Sequence, residues 1–384
     1  MKRVIVLLLS FSLIFATCGC ASLFMKKDAL IELDDSTDTT NTGGITTSVK
    51  IDSYTQLFSG NLLSYDPSSS ISILTQSEVT DSNSYQNKLL SYYNGNFYTL
   101  FTADSSFSEA KLDAATHDVY FKQKDAAADT SALYWATLQG DKKVRICDDV
   151  YDNYLAWDFT QNGYLVYVDK DNRIMLGDKN AQNAVFTLDK TYSVKEITYY
   201  SAARMLLLIA SAGQTSNILY RIDLNSSPEL NAIDVNVNDF AFSYLTGQTA
   251  YTKTTSGGDD QLYTYDYNNY LRTYLCSNYI EKLSYSPDGS YIAFATKATS
   301  QIPTQSIWII RNDSNIPVQL TANTLLNSSI VWTADNSGLI FTTSNTFDSQ
   351  NSNEPEYDTY YLKFSFDSAD TSSAETGQNR SGEQ

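Results

Sequence analysis

The sequence predicts an all-β fold: a seven-bladed β-propeller of four-stranded antiparallel blades, closed by an N-terminal strand. Three observations carry that expectation. A strand–turn–strand pattern recurs along the chain, a third strand follows each copy in register, and helical periodicity is almost absent. The clearest copy is "LSYSPDGSYIAFAT" (Leu283 to Thr296), where Ser286-Pro287-Asp288-Gly289 separates two runs of alternating apolar and polar residues. Related stretches are "IVWTADNSGLIFTT", "FAFSYLTGQTAYTK", "ITYYSAARMLLLIA", "LAWDFTQNGYLVYV", "AKLDAATHDVYFKQ" and "LLSYDPSSSISILT". Their landmark apolar residues before the turn are Tyr65, Leu112, Trp157, Tyr199, Phe242, Tyr285 and Trp332. These are spaced by 47, 45, 42, 43, 43 and 47 residues, close to the ~40–45 residues of one propeller blade.

The third strands are "ALYWATL", "NRIMLGD", "ILYRIDL", "QLYTYDY", "SIWIIRN" and "TYYLKFS". They place Tyr134, Met175, Tyr220, Tyr263, Trp308 and Tyr361 in register, with Tyr92 serving the first unit. Fourth strands are expected at "KVRICDD", "AVFTLDK", "LRTYLCS" and "PVQLTAN". The last unit lacks a fourth strand of its own, which would leave two open sheet edges, a liability that proteins avoid. "TSVKIDSYT" (Thr47 to Thr55) resembles a fourth strand and precedes unit one. Val49 and Ile51 are therefore expected to pair with Tyr360 to Phe366 and clasp the ring.

"YSPDGSYIAFAT" followed by "SIWIIRNDSNIPVQLTAN" resembles the WD-like repeat of TolB-type β-propellers, with its Ser-Pro-Asp-Gly turn, aromatic strand and "pvqLT" ending. The resemblance spans Tyr279 to Thr343 and fades toward the amino terminus. It implies a propeller and a role in protein–protein interaction at the cell envelope. Propellers also host enzymes, so the fold alone does not decide function.

The ends read differently from the repeats. Lys2 and Arg3, the apolar run Val4 to Ala16 and the ending "TCGC" form a secretory signal, too short for a membrane span. Cys20, preceded by Gly19, resembles the lipidated cysteine of bacterial lipoproteins. The expected organisation is a signal peptide at 1–19, a lipidated cysteine and polar tether at 20–46, the propeller at 47–367 and a disordered polar tail at 368–384. A lipid anchor would hold the protein outside the cytoplasm, on the membrane surface of a bacterial cell.

The net charge of −18 becomes −20 once Lys2 and Arg3 leave with the signal. That acidity disfavours nucleic acid and anionic headgroups, which are bound through Lys and Arg. The 29 tyrosines suit packing between sheets, with some left for contacts on the faces. Cys147 and Cys276 fall in units two and five, too far apart for a disulfide, and read as free thiols.

Catalytic patterns are scarce. The single histidine, His117, lies in the turn "AATHDV", so a His-pair metal site is excluded and a catalytic triad would have to be built on that turn. There is no GxSxG, GxGxxG or Walker loop. "VDKDNR" (Val168 to Arg173) superficially suggests calcium, but Arg173 and Ile174 break an EF-hand loop and a hairpin turn fits better. No cofactor, metal ligand or catalytic residue is assigned.

These features make the expected function that of a non-catalytic, monomeric module binding envelope protein partners and touching the membrane only through its anchor. The alternative is a carbohydrate-binding or glycan-processing propeller, using carboxylates brought together only in space. Clustered carboxylates and aromatics on the central face would favour sugar. The binding face is expected where the long loops between second and third strands lie. Lys122, Lys170, Lys253 and Lys297 recur near second-strand ends as a candidate positive collar, joined by Phe347 and Tyr357 of the last long loop.

Overall fold

The computed structural model describes residues 48–81, 84–125, 130–148, 155–160, 162–213, 216–297, 304–344 and 356–366. Cys20, Phe347 and the signal, tether and tail segments lie outside these residues. Among the described residues there is no α-helix, only a 3₁₀ turn at Ser201–Ala203. The strands form five four-stranded antiparallel sheets and one seven-stranded sheet. In the latter, the long strand Leu271–Tyr285 ends one unit and begins the next: Leu271 to Asn278 pair backward and Tyr279 to Tyr285 pair forward. Among the described residues the strands thus make seven four-stranded units.

Ring closure follows the sequence expectation. Val49–Ser59 pairs antiparallel with Tyr357–Phe366, with Val49 opposite Phe366 and Ile51 opposite Phe364. The clasp strand runs past Thr55 to Ser59, because Phe58 completes the seam with unit one, packing on Tyr92 at 5.0 Å and Phe97 at 6.0 Å. Tyr54 stacks on Tyr360 at 4.7 Å. Across the seam, Gly60 N–H donates to the Tyr357 carbonyl (2.7 Å) and Leu62 N–H to Thr342 Oγ1 (3.0 Å).

Apolar clusters occupy the junctions between units. Leu89 and Phe121 join units one and two; Trp135 and Phe159 join two and three; Val166 and Leu206 join three and four. Leu207 and Tyr251, Leu262 and Phe294, Ile307 and Trp332, and Leu74 and Ile340 mark the remaining four. The sheets are apolar on both faces, so each needs a neighbour on either side.

The turns are built by side chains. Asp66, Asp178, Asp266, Asp288 and Asp335 each accept backbone N–H groups two or three residues on, the Asx geometry that makes such residues turn formers. "VDKDNR" is likewise a hairpin turn: Asp169 Oδ1 accepts from the Asp171 and Arg173 amides, and the Arg173 guanidinium closes on Asp169 Oδ2.

One landmark shifts. In unit two Leu112 pairs with Val119 and Asp113 N–H closes the turn on the Asp118 carbonyl. The matching residue of unit three is Phe159, paired with Leu165 before Thr160 N–H bonds Tyr164, and not Trp157 two residues earlier. Unit three has the shorter turn, which compresses the hairpin and conceals its register in the sequence.

The clasp makes a direct prediction. Burying Val49 and Phe58 contributes roughly 3–6 kcal/mol at about 1.5–3 kcal/mol per large apolar side chain, a large part of the whole stability of a domain. Deleting residues 21–44 should leave the melting temperature nearly unchanged, whereas deleting through Ser59 should abolish the cooperative transition. Equal melting temperatures for the two truncations would refute the clasp.

Candidate functional site: a charged central channel

The first strand of every unit faces a central channel of about 1240 Å³. Near the start of that strand, five units carry a β-bulge, at Leu62/Ser64, Phe107/Glu109, Val194/Glu196, Val237/Asp239 and Glu281/Ser284. A bulge re-aims the side chains that follow it. In units two, four and five the residue after the bulge is an acid: Glu109, Glu196 and Asp239. Lys282 holds the same position in unit six. Two residues nearer the turn, Ser64, Lys111, Asp158, Thr198 and Ser284 form a second tier.

The second tier ties successive units together. Lys111 Nζ stands 3.3 Å from Asp158 Oδ1. Thr198 Oγ1 donates to Asp158 Oδ2 at 2.6 Å, and the Tyr244 hydroxyl donates to the same oxygen at 3.2 Å. Asp158 therefore joins side chains from units two, four and five. The Asp158 carboxylate, chief among the influences on it, raises Lys111 above its ordinary value. Half of the Lys111 side chain is reachable by water, but the channel walls enclose that water, so the pair is only partly screened. Burial first, and the neighbouring Asp158 second, push the Tyr244 phenol up, so it stays a hydrogen-bond donor.

The first tier is also connected. Glu109 accepts from Trp157 Nε1 (2.7 Å) and from Lys122 Nζ (3.2 Å). Asp239 Oδ2 accepts the Leu283 amide at 3.2 Å. Lys282 Nζ donates to the carbonyls of Leu326 (3.2 Å) and Ser328 (3.0 Å), and Lys195 Nζ to that of Asn238. Burial is the larger influence on Lys282 and lowers it. Glu196 differs, having no hydrogen-bond partner among the described residues. Enclosure, followed by the Asp239 charge, raises its carboxyl well above the ordinary 4.5. Asp239 is raised as well, chiefly by burial.

Of the residues expected from sequence, Lys122 meets the channel tier through Glu109 and the other described ones lie elsewhere. Lys122 is buried against Glu109, Lys253 Nζ is 2.6 Å from Asp234 and Lys297 Nζ is 2.9 Å from Glu281. Lys170 is exposed in the Asp169–Arg173 turn, and Tyr357 begins the third strand of unit seven. The structure gathers no open group of four ammonium ions: three of them face carboxylates. The loops between second and third strands do adjoin the connections between units. Lys124 N–H bonds the Ser106 carbonyl, Leu188 N–H that of Asn172 and Gly213 N–H that of Thr191. His117 is exposed with a left-handed φ of 57° in its turn. Neither Cys147 nor Cys276 is in a disulfide among the described residues, and burial pushes the Cys276 thiol up to about 12. No group of three His, Cys, Asp or Glu among the described residues is placed to hold a metal ion.

The channel residues were missed because each is an isolated polar residue in a short apolar strand. Their signal is the constant offset from the turn landmark, and the misplaced landmark in unit three hid Asp158 from it.

No protein-family model and no curated protein sequence matches this chain. A chain of the mitotic checkpoint complex superposes with a TM-score of 0.51 at 11% identity, covering 86% of this chain and 96% of the other. The fold is a β-propeller. TolB from Acinetobacter baumannii gives a TM-score of 0.48 at 15% identity over 76% of this chain and 79% of its own. An oligogalacturonate lyase in complex with manganese gives 0.43 at 11% identity over 76% and 96%. At these identities the likeness concerns fold alone.

The raised Glu196 carboxyl makes a pH-dependent prediction. Folded protein holds this proton where the unfolded chain releases it, so the site costs stability as pH rises above the ordinary 4.5. Glu196→Gln should melt higher than wild type at neutral pH, and the gain should vanish at pH about 4. A variant equally or less stable at neutral pH would contradict the enclosure of Glu196.

Proposed function

We propose that the protein is an exported, lipid-anchored β-propeller that binds a protein partner at the bacterial cell envelope without catalysing a reaction. The observation that carries the non-catalytic part is the matching of the channel charges inside the ring. Asp158 already accepts from two hydroxyls and pairs with a lysine, and Glu109 accepts from Trp157 and Lys122. Carboxylate-pair chemistry needs two acids free to act on one substrate. Among the described residues of the two tiers, Glu196 alone has a carboxylate without a hydrogen-bond partner.

The protein-binding part rests on the architecture: the described ends of second strands and the turns that follow them adjoin the unit connections on one side of the ring, and loops carried by a rigid scaffold are where recognition tends to be placed. The anchor rests on the sequence around Cys20. A second reading, a carbohydrate-binding or glycan-processing propeller, is favoured by one feature. Glu109, Asp158, Glu196 and Asp239 line a channel that also holds Trp157 and Tyr244.

Crosslinking in intact cells, followed by capture of the full chain, tests both parts. The expected result is a membrane-associated protein labelled by palmitate, carrying a reproducible envelope protein partner. Cys20→Ser should remove the label and Cys18→Ser should keep it. Shortening the segment 345–355, which leaves the strand from Tyr357 intact, should reduce partner capture at least several-fold. Unchanged capture would count against the loop face, label lost only in Cys18→Ser would overturn the anchor, and oligosaccharide turnover by purified protein would replace binding with the second reading.

A further inference from the structure

Among the described residues, the charged side chains of the two channel tiers are satisfied across unit junctions, with Glu196 the exception. Lys111 turns to Asp158, Lys195 and Lys282 to backbone carbonyls, and Asp239 to the Leu283 amide. None of these donors reaches Glu196, which stands half-buried on the wall with no hydrogen bond. The groups acting on it are Asp239 from unit five, Asp158 from unit three, its neighbour Lys195 and Lys111 from unit two. Both flanking carboxylates are held by hydrogen-bond donors and are not free to swing away.

We propose that Glu196 is the recognition point of the channel for an organic cation, an alkylammonium or guanidinium group; this rests on the reading of the ring as a binding module. An anion would meet a wall position already flanked by Asp158 and Asp239. A divalent metal requires several oxygen ligands converging at short range, and no group of three acids among the described residues is so placed. An ammonium or guanidinium needs only one free carboxylate as direct partner, with the two fixed charges adding attraction at longer range. The channel, at about 1240 Å³, has room for such a ligand.

The pairing carries a proton balance. Enclosure and the Asp239 charge favour the protonated form of Glu196, and a cation pairs with the ionised form. Capture therefore releases up to one proton from the Glu196 carboxyl to solvent. Affinity rises with pH through the raised value and levels off above it.

Calorimetric titration of the purified full chain with putrescine and with methylguanidine tests the assignment, in two buffers of different ionisation enthalpy. At least one probe should bind with 1:1 stoichiometry, at least tenfold more tightly at pH 8 than at pH 5.5, with proton release. Glu196→Gln should weaken binding at least tenfold and flatten the pH dependence while keeping a cooperative melt, and Glu196→Asp should restore part of both. No saturable binding of either probe, or binding indifferent to Glu196→Gln, overturns the proposal. Putrescine added to the crosslinking capture distinguishes the source. Displacement of the partner assigns the cation to a basic side chain of that partner, and retention assigns it to a free amine. Putrescine binding by a chain that captures no partner would overturn the protein-partner reading alone.

Discussion

Each sheet in this protein is apolar on both faces, and everything else in the structure depends on that constraint. A sheet of this kind has no solvent-facing side, so it needs a neighbour left and right. A row of such sheets must bend into a ring or leave two faces bare. The seven apolar seams, from Leu89 against Phe121 to Leu74 against Ile340, are the outcome. The last seam is special because the chain assembles it from both ends. Val49–Ser59 finishes the unit begun by Val331 and Trp332, and Phe58 on the same strand packs onto unit one. One strand thus supplies a missing edge and part of a seam.

The ring geometry then creates the channel. Seven short first strands meet around an axis too wide to be filled by their side chains, and polar residues there can be satisfied only by one another or by a guest. Most are satisfied by one another, through junction-crossing contacts such as Lys111–Asp158–Thr198 and Trp157–Glu109. Hydrogen bonds to a charged group contribute about 1.5–3 kcal/mol each when shielded from bulk water. The channel polar groups consequently hold the register of neighbouring units as well as lining a cavity. Glu196 falls outside this mutual arrangement, and its unshared carboxyl is why the wall has a distinguishable point of recognition.

The architecture was legible in the sequence because repetition amplifies weak signals. A single hairpin such as Leu283 to Thr296 implies little, but seven at near-constant spacing imply a ring, and a ring implies a closing strand. The clasp at Val49 and Ile51 followed from an edge left over, a physical argument that needed no motif. The site was far less legible. Asp158 and Thr198 are 40 residues apart in sequence yet 2.6 Å apart at their oxygens, and nothing in either local stretch announces the other. The lysines at second-strand ends were visible as a series, while their carboxylates Glu109, Asp234 and Glu281 come from other strands and were not. Trp157 stands in the sequence where the landmark is expected, and Phe159 holds that place in the structure, because a shortened turn looks, in one dimension, like a shifted strand.

The ring exists as one cooperative unit only while Val49–Ser59 is paired. Native-state hydrogen exchange on the clasp strand tests it most directly. The inter-strand amides of this strand, paired to Tyr357–Phe366, should exchange only through global unfolding, with the same free energy as the protected amides of Met205–Ala212 in unit four. Clasp amides that exchange by local fraying, several kcal/mol below that level, while the other six units stay protected, would contradict it.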